Sequence, residues 1–221
     1  KKDYAETIKD KIHITKIKTK IMKKGIYCIE GLWDHGNIQD QSTVLPILDL
    51  LEKRGYCNYI YHDCATKSEL EYFLEKWKNK KIQEKYPILY LAFHGDPGFI
   101  FLTHEDKYSL AELADYLNGK SIGKIIYFGS CSTLNIDKRR INSFLIKTGA
   151  IATIGYKIDV DWIQSAACDL FVFEALQSDK LDTTGIKKIH NKIISEYGNL
   201  HKILELRFVV NDKQQFIRQK K

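Results

Sequence analysis

The sequence predicts an α/β domain, a three-layer sandwich with helices on both faces of a mainly parallel central sheet. Three observations carry this. Short, almost wholly apolar runs recur, such as Ile88-Leu89-Tyr90-Leu91-Ala92-Phe93 and Ile125-Ile126-Tyr127-Phe128. Such runs fit strands buried on both faces. Between them lie amphipathic stretches opened by capping residues. Strand and helix signals then alternate through the middle of the chain, the order produced by right-handed crossovers between parallel strands. With 221 residues, 44% of them hydrophobic, one substantial core is within reach.

Residues 1–24 are basic. Tyr4 to Ile12 suits a short helix, and Ile12, Ile14, Ile17 and Ile21 partly alternate with polar residues as in an edge strand. Gly25 to Gly31 reads as the first central strand, followed by a polar loop through Asn37. Ser42 and Thr43 are expected to cap a helix to about Arg54, with Leu45, Leu48 and Leu51 buried and Gly55 ending it. Cys57 to His62 is the second strand. Thr66 and Glu69 form a capping box for a helix burying Leu70, Phe73, Leu74 and Trp77. Ile88 to Phe93 is the third strand, and Phe99–Leu102 with Lys107–Tyr108 suits a small hairpin. Ser109 and Glu112 cap the next helix, Leu110 to Leu117, before the fourth strand, Ile125 to Phe128. Asp137 opens a helix to about Lys147 that Gly149 ends, and Ala150 to Gly155 is the fifth strand. Asp161 caps a helix over Trp162 to Leu176, Thr183 and Thr184 open a final helix to about Tyr197, and the region from Ile203 to Val210 suits a last strand. The expected organisation is a basic segment 1–24, one domain over 25–212 and a basic tail 213–221.

The net charge of +7 sits at the ends. Residues 1–24 carry nine Lys against Asp3, Glu6 and Asp10, and residues 213–221 add Lys213, Arg218, Lys220 and Lys221. Residues 25–212 are therefore net acidic, which argues against nucleic-acid binding by the core. Five Cys in no framework spacing point to reduced thiols and a cytoplasmic protein. No secretory apolar region and no apolar run near 20 residues appear, so no membrane association is expected. No Gly-rich phosphate loop is present, and the spacing from Cys131 to Arg139 is too long for a cysteine phosphatase loop. Cys57, His62 and Cys64 lie close in sequence but fit no standard zinc spacing, so no metal and no cofactor is expected.

Chemistry concentrates at two strand ends. The third strand runs into His94-Gly95-Asp96-Pro97-Gly98 and the fourth into Gly129-Ser130-Cys131-Ser132-Thr133. In open α/β sheets, ligands bind beyond the carboxyl ends of the strands. A thiol and an imidazole at two such ends are the parts of a nucleophile and its base. The competing role for Cys131 is a small packing residue, and for His94 a loop histidine. His35-Gly36 is a second His-Gly pair that follows the first strand and is the other candidate base; Trp33 and Asp34 beside it are candidate cleft residues.

These two segments, in this order, resemble the caspase-like cysteine peptidases, a superfamily of caspases, metacaspases, legumain, separase and bacterial CHAT-domain peptidases. Phe93-His94-Gly95-Asp96-Pro97-Gly98 is similar to the family's Ser-His-Gly-Asp-x-Gly segment, with Phe93 where Ser is frequent. The caspase box around the catalytic Cys has no counterpart, which argues against a true caspase and against cleavage after Asp. Ile154-Gly155-Tyr156-Lys157-Ile158-Asp159-Val160-Asp161-Trp162 brings the chain nearest the CHAT and separase-like branch.

The resemblance implies a cysteine endopeptidase with Cys131 as nucleophile and His94 as general acid–base. The backbone N–H groups of Gly95 and Cys131 would form the oxyanion hole. Asp159 or Asp161 would line a pocket for a basic residue before the scissile bond, although Asp161 also reads as a helix N-cap. The implied partners are a protein or peptide substrate and a regulatory protein or fused sensing domain, in bacterial defence or regulated cell death. The competing classes are a catalytically inactive caspase-like scaffold for binding and signalling, and a flavodoxin-like or TIR-like module, which gives His94 and Cys131 no joint purpose.

Overall fold

Side chains that alternate along five-residue strands divide the core of the computed structural model into two layers; the structure describes residues 23–34, 36–37, 39–103 and 105–211. The central strands are β1 (Ile26–Glu30), β2 (Tyr59–Asp63) and β3 (Ile88–Ala92). Three short strands follow, β4 (His94–Asp96), β5 (Phe99–Phe101) and β6 (Lys107–Ser109), then β7 (Ile125–Gly129), β8 (Ala152–Tyr156) and β9 (Leu206–Val210). The six-stranded sheet has the order β2-β1-β3-β7-β8-β9. All its pairs are parallel except β8–β9, which is antiparallel. The helices are α1 (Leu45–Lys53), α2 (Lys67–Trp77), α3 (Lys80–Lys85), α4 (Leu110–Tyr116), α5 (Lys138–Thr148), α6 (Trp162–Leu176) and α7 (Thr183–Ile203).

Ile26 and Cys28 of β1 face one layer, with side chains from α1, α6 and α7; Tyr27 and Ile29 face the other, with α2, α4 and α5. The α/β class and the three-layer, mainly parallel sandwich are as the sequence predicts. Short-range signals hold well. Thr66 with Glu69 and Ser109 with Glu112 form complete capping boxes, Asp137 and Asp161 cap α5 and α6, and Gly149 ends α5 with φ 78°.

Four elements differ from expectation. The N-cap of α1 falls on Val44, not on Ser42 or Thr43, because Thr43 donates its hydroxyl to Glu30; the same oxygen still accepts the Leu45 N–H. Helix α3, unforeseen in the sequence, is capped by Asn79 and sends Gln83 inward to the Lys120 carbonyl. Helix α7 starts after Asp182 and continues to Ile203, with non-helical angles at Tyr197, where the sequence places its end. His94 lies in its own strand, β4, which makes a three-stranded sheet of the expected hairpin. The basic segment up to residue 22, the helix and edge-strand assignments within it, the tail 213–221 and His35 lie outside the described residues. Among the described residues no helix is long and apolar enough to cross a membrane.

The strand order also locates a crevice. From β1 the chain steps to β2 on one side, and from β3 it steps to β7 and β8 on the other. The order therefore reverses between β1 and β3, and ligands of open α/β sheets bind at the carboxyl end of such a reversal.

Candidate active site

Ala92 of β3 lies opposite Gly129 of β7 in parallel register. His94 and Cys131 each follow two residues later, so they leave the carboxyl edge from neighbouring strands, about 4.8 Å apart in the sheet. The two segments also interlock. A Cβ on Gly95 would overlap Thr133 Oγ1 and lie 2.5 Å from the Cys131 carbonyl oxygen. Glycine is thus required for β4 to pack on the Cys131 turn, a packing demand beside the oxyanion-hole role that the resemblance implies.

The turn itself is tightly held. Ser132 has φ 53°, a left-handed conformation unusual for a residue with a side chain. Its N–H donates to the Ile158 carbonyl at 3.0 Å, and its hydroxyl donates to Asp159 Oδ1 at 2.7 Å. The buried Ser130 hydroxyl meets that of Thr133 at 2.8 Å, and Thr133 Oγ1 donates to the Phe99 carbonyl. The Val160 N–H approaches Cys131 Sγ at 3.5 Å.

Cys131 is half-buried, while Cys28, Cys57, Cys64 and Cys168 are buried. Burial pushes the Cys131 thiol above its usual range; the N–H groups of Val160 and of Cys131 itself oppose this, and the Asp159 charge adds to it. In the buried cysteines the same effect is larger: Cys57, Cys64 and Cys168 rise to about 12, and Cys28 lies well above its ordinary value.

His94 is exposed, with Nε2 2.6 Å from the Trp33 carbonyl oxygen. A carbonyl only accepts, so Nε2 carries a proton and donates it, which makes Nδ1 the basic nitrogen of the neutral ring. The Trp33 indole meets the His94 ring edge-on at 5.2 Å and Trp162 at 4.7 Å.

Trp33 is in turn fixed by Glu30, which closes β1 and is 1% exposed. Glu30 Oε1 accepts from Trp33 Nε1 at 2.5 Å and from the Val44 N–H at 2.8 Å; Oε2 accepts from the Thr43 and Tyr61 hydroxyls, each at 2.6 Å. A second buried carboxylate, Asp169 of α6, accepts from Tyr90 at 2.5 Å, Tyr156 at 2.6 Å and Tyr127. Burial holds Asp169 above the usual carboxylate range, against the pull of the three hydroxyls.

Asp159 is exposed and engaged by Ser132. Asp161 is the α6 N-cap, accepting from the Ile163 and Gln164 N–H groups at 3.0 Å each. Neither lines the cavity that opens beside Cys131, whereas their neighbours Val160 and Trp162 do. Phe93 is fully buried, and its ring occupies the space a Cβ on Gly31 would need. Cys57 and Cys64 belong to opposite core layers, and His62 stacks on Phe73 with ring centroids 4.1 Å apart. Among the described residues no group of three or more His, Cys, Asp and Glu is placed to hold a metal ion.

Glu30, the Trp33 carbonyl and Asp169 were not foreseen. The available signal was an acid within or closing an apolar run, as in Tyr27-Cys28-Ile29-Glu30 and Cys168-Asp169-Leu170-Phe171, since a charge in such a place must be paired or hydrogen-bonded.

A family model described as a family of unknown function, DUF6642, matches residues 23–209. No curated protein matches. A solved structure similar to the chain is that of caspase-1 from Spodoptera frugiperda, 13% identical, with a TM-score of 0.46 over 78% of this chain and 77% of that one.

Proposed function

This chain belongs to the DUF6642 family, and we propose that it is a cysteine endopeptidase in which Cys131 and His94 form the catalytic dyad. The observation that carries this reading is the pairing of the two strand ends: Ala92 opposite Gly129, with β4 packed on the Cys131 carbonyl through Gly95. It supports a thiol and an imidazole held on one edge by rigid elements. The resemblance of the His94-Gly95 and Cys131 segments to those of caspase-like peptidases, nearest the CHAT branch, supports the same roles.

The reaction follows from these positions. His94 Nδ1 takes the Cys131 proton as Sγ attacks the peptide carbonyl carbon. The N–H groups of Gly95 and Cys131 receive the oxyanion. The tetrahedral intermediate collapses, the C–N bond breaks, and the proton on His94 passes to the departing amine. Water then attacks the thioester, giving its proton to His94, and Cys131 leaves with that proton restored. The Trp33 carbonyl, bonded to Nε2–H, holds the ring in the tautomer this sequence needs and stabilises the imidazolium formed in each half. A regulatory protein or fused sensing module, and a place in bacterial defence or cell death, belong to the same proposal.

Cleavage of a mixed peptide library by wild type, Cys131→Ala and His94→Ala tests it. The expected result is cleavage by wild type, none by Cys131→Ala, and a loss of about 10²- to 10⁴-fold in His94→Ala. Alkylation by iodoacetamide, followed by peptide mapping, should mark Cys131 alone in the native protein and should slow in His94→Ala. An inert library together with a Cys131 that alkylates independently of His94 would leave a binding scaffold as the better description.

A further inference from the structure

We propose that the cavity beside Cys131 receives an uncharged aliphatic side chain, so that the substrates are peptides with an aliphatic residue before the bond attacked. This rests on the peptidase reading above and gives that site its substrate class. Gly129, which closes β7, and Cys131 in the turn that follows are both among the residues that line the cavity. A peptide whose carbonyl carbon lies against Sγ carries its preceding side chain within reach of this cavity.

The walls are apolar. Trp33, Val44 and Ile47, from the β1 loop and α1, and Val160, Trp162 and Ala166, from the β8 loop and α6, line the cavity. No Lys or Arg is among the lining residues, so an acidic side chain would enter without a counter-charge and near Asp169. Tyr90, Tyr156 and Asp169 also line it. Asp169 is 3% exposed, and its two oxygens already accept three tyrosyl hydroxyls. Its carboxylate is thus directed into the protein, and an incoming ammonium would give up water for an acceptor already in use. Asp159 and Asp161, the acids that would favour a basic residue, lie outside the lining. What the walls offer is transfer of apolar surface out of water. The cavity measures about 50 Å³, small beside the about 150 Å³ that accommodates benzene. The about 150 Å³ cavity is also what truncating a Leu to Ala leaves behind, so the available space excludes an aromatic ring and favours a short aliphatic chain, Val ahead of Leu.

The test uses N-blocked dipeptidyl chloromethyl ketones differing only in the last residue: Gly, Val, Leu, Phe, Lys or Asp. Cys131 Sγ bonds to the methylene carbon, the C–Cl bond breaks, chloride leaves with the electron pair, and the thiol proton passes through His94 to solvent. Intact mass and peptide mapping give the labelling rate of Cys131. The Val or Leu probe should label at least about tenfold faster than the Gly probe, with Lys and Asp no faster than Gly. Ala166→Phe, at a partly exposed helix position, fills the cavity and should bring the Val-to-Gly rate ratio close to one. Labelling led by the Lys, Asp or Phe probe, or equal rates for all probes, overturns the aliphatic pocket and leaves a cysteine peptidase standing. Cys131 labelled by none of the probes overturns the peptidase reading, and the pocket with it.

Discussion

Glu30 offers the sharpest test of how the cleft is built. Four donors converge on a carboxylate that is 1% exposed: Trp33 Nε1, the Val44 N–H and the Thr43 and Tyr61 hydroxyls. Glu30→Ala removes both acceptor oxygens. The two hydroxyls stand 3.3 Å apart and can turn to each other, so they lose little. The indole and backbone N–H groups cannot turn. Each unsatisfied buried donor costs about 1–3 kcal/mol, so the pair alone predicts a loss of about 2–6 kcal/mol from a total that is typically about 5–15. Glu30→Gln behaves differently. Its carbonyl oxygen can keep both N–H groups while its amide donates to the hydroxyls, which accept as well as donate. Only the charge assistance is lost, about 1 kcal/mol per bond, and the lower cost of burying a neutral amide than a carboxylate offsets part of it. Urea unfolding followed by circular dichroism, compared at equal m values, measures both. Because Trp33 carries the carbonyl that orients His94, alkylation of Cys131 should also slow in Glu30→Ala more than in Glu30→Gln. If Ala lies within about 1 kcal/mol of wild type, or if Gln is as damaging as Ala, the assignment of Glu30 as the acceptor that holds the Trp33 loop is wrong.

Other outcomes follow from single contacts. Gly95→Ala pushes a methyl group onto Thr133 and the Cys131 carbonyl; overpacking of this kind costs about 1–3 kcal/mol, so a thermal midpoint unchanged from wild type would contradict the interlock of β4 with the turn. Asp159→Asn removes an anion that raises the Cys131 thiol while keeping an oxygen for Ser132; the midpoint of alkylation rate against pH should move down, and an upward move would contradict that placement of charge. Asp169 has a carboxyl held above its ordinary value of 3.8 by burial. Its contribution to stability is therefore greatest in acid and is lost as pH rises through the raised value. Asp169→Asn cannot titrate, so its stability relative to wild type should improve as pH rises above the ordinary carboxyl value of 3.8, as read from urea midpoints; a relative decline would reverse the sign assigned to this group.

The elements readable from the sequence are those whose decisive contacts close over a few residues. Thr66 reaches Glu69, Ser109 reaches Glu112, and Asp161 reaches Ile163 and Gln164. Periodicity carried the same information for the buried face of α2, where Leu70, Leu74 and Trp77 are buried, and the apolar runs marked the strands. The α1 cap failed for the converse reason: Thr43 answers to Glu30, 13 residues away. Helix α3 is short and strongly charged, and only its packing of Gln83 against Lys120 identifies an inner face.

The sequence alone determined a three-layer α/β sandwich, because strand and cap signals are local, and it offered His94 and Cys131 as candidates from their place at two strand ends. Tertiary structure decided everything that surrounds them. It set the reversal between β1 and β3, the antiparallel last strand, the Glu30–Trp33–His94 chain and the tyrosine cage around Asp169. It also turned Asp159 toward Ser132 and left Val160 and Trp162 to line the cavity. Trp33 meets His94 across 61 residues, and Tyr90 meets Asp169 across 79. A buried polar group must find partners wherever the packed chain brings them, and no spacing in the sequence records which distant donors those will be.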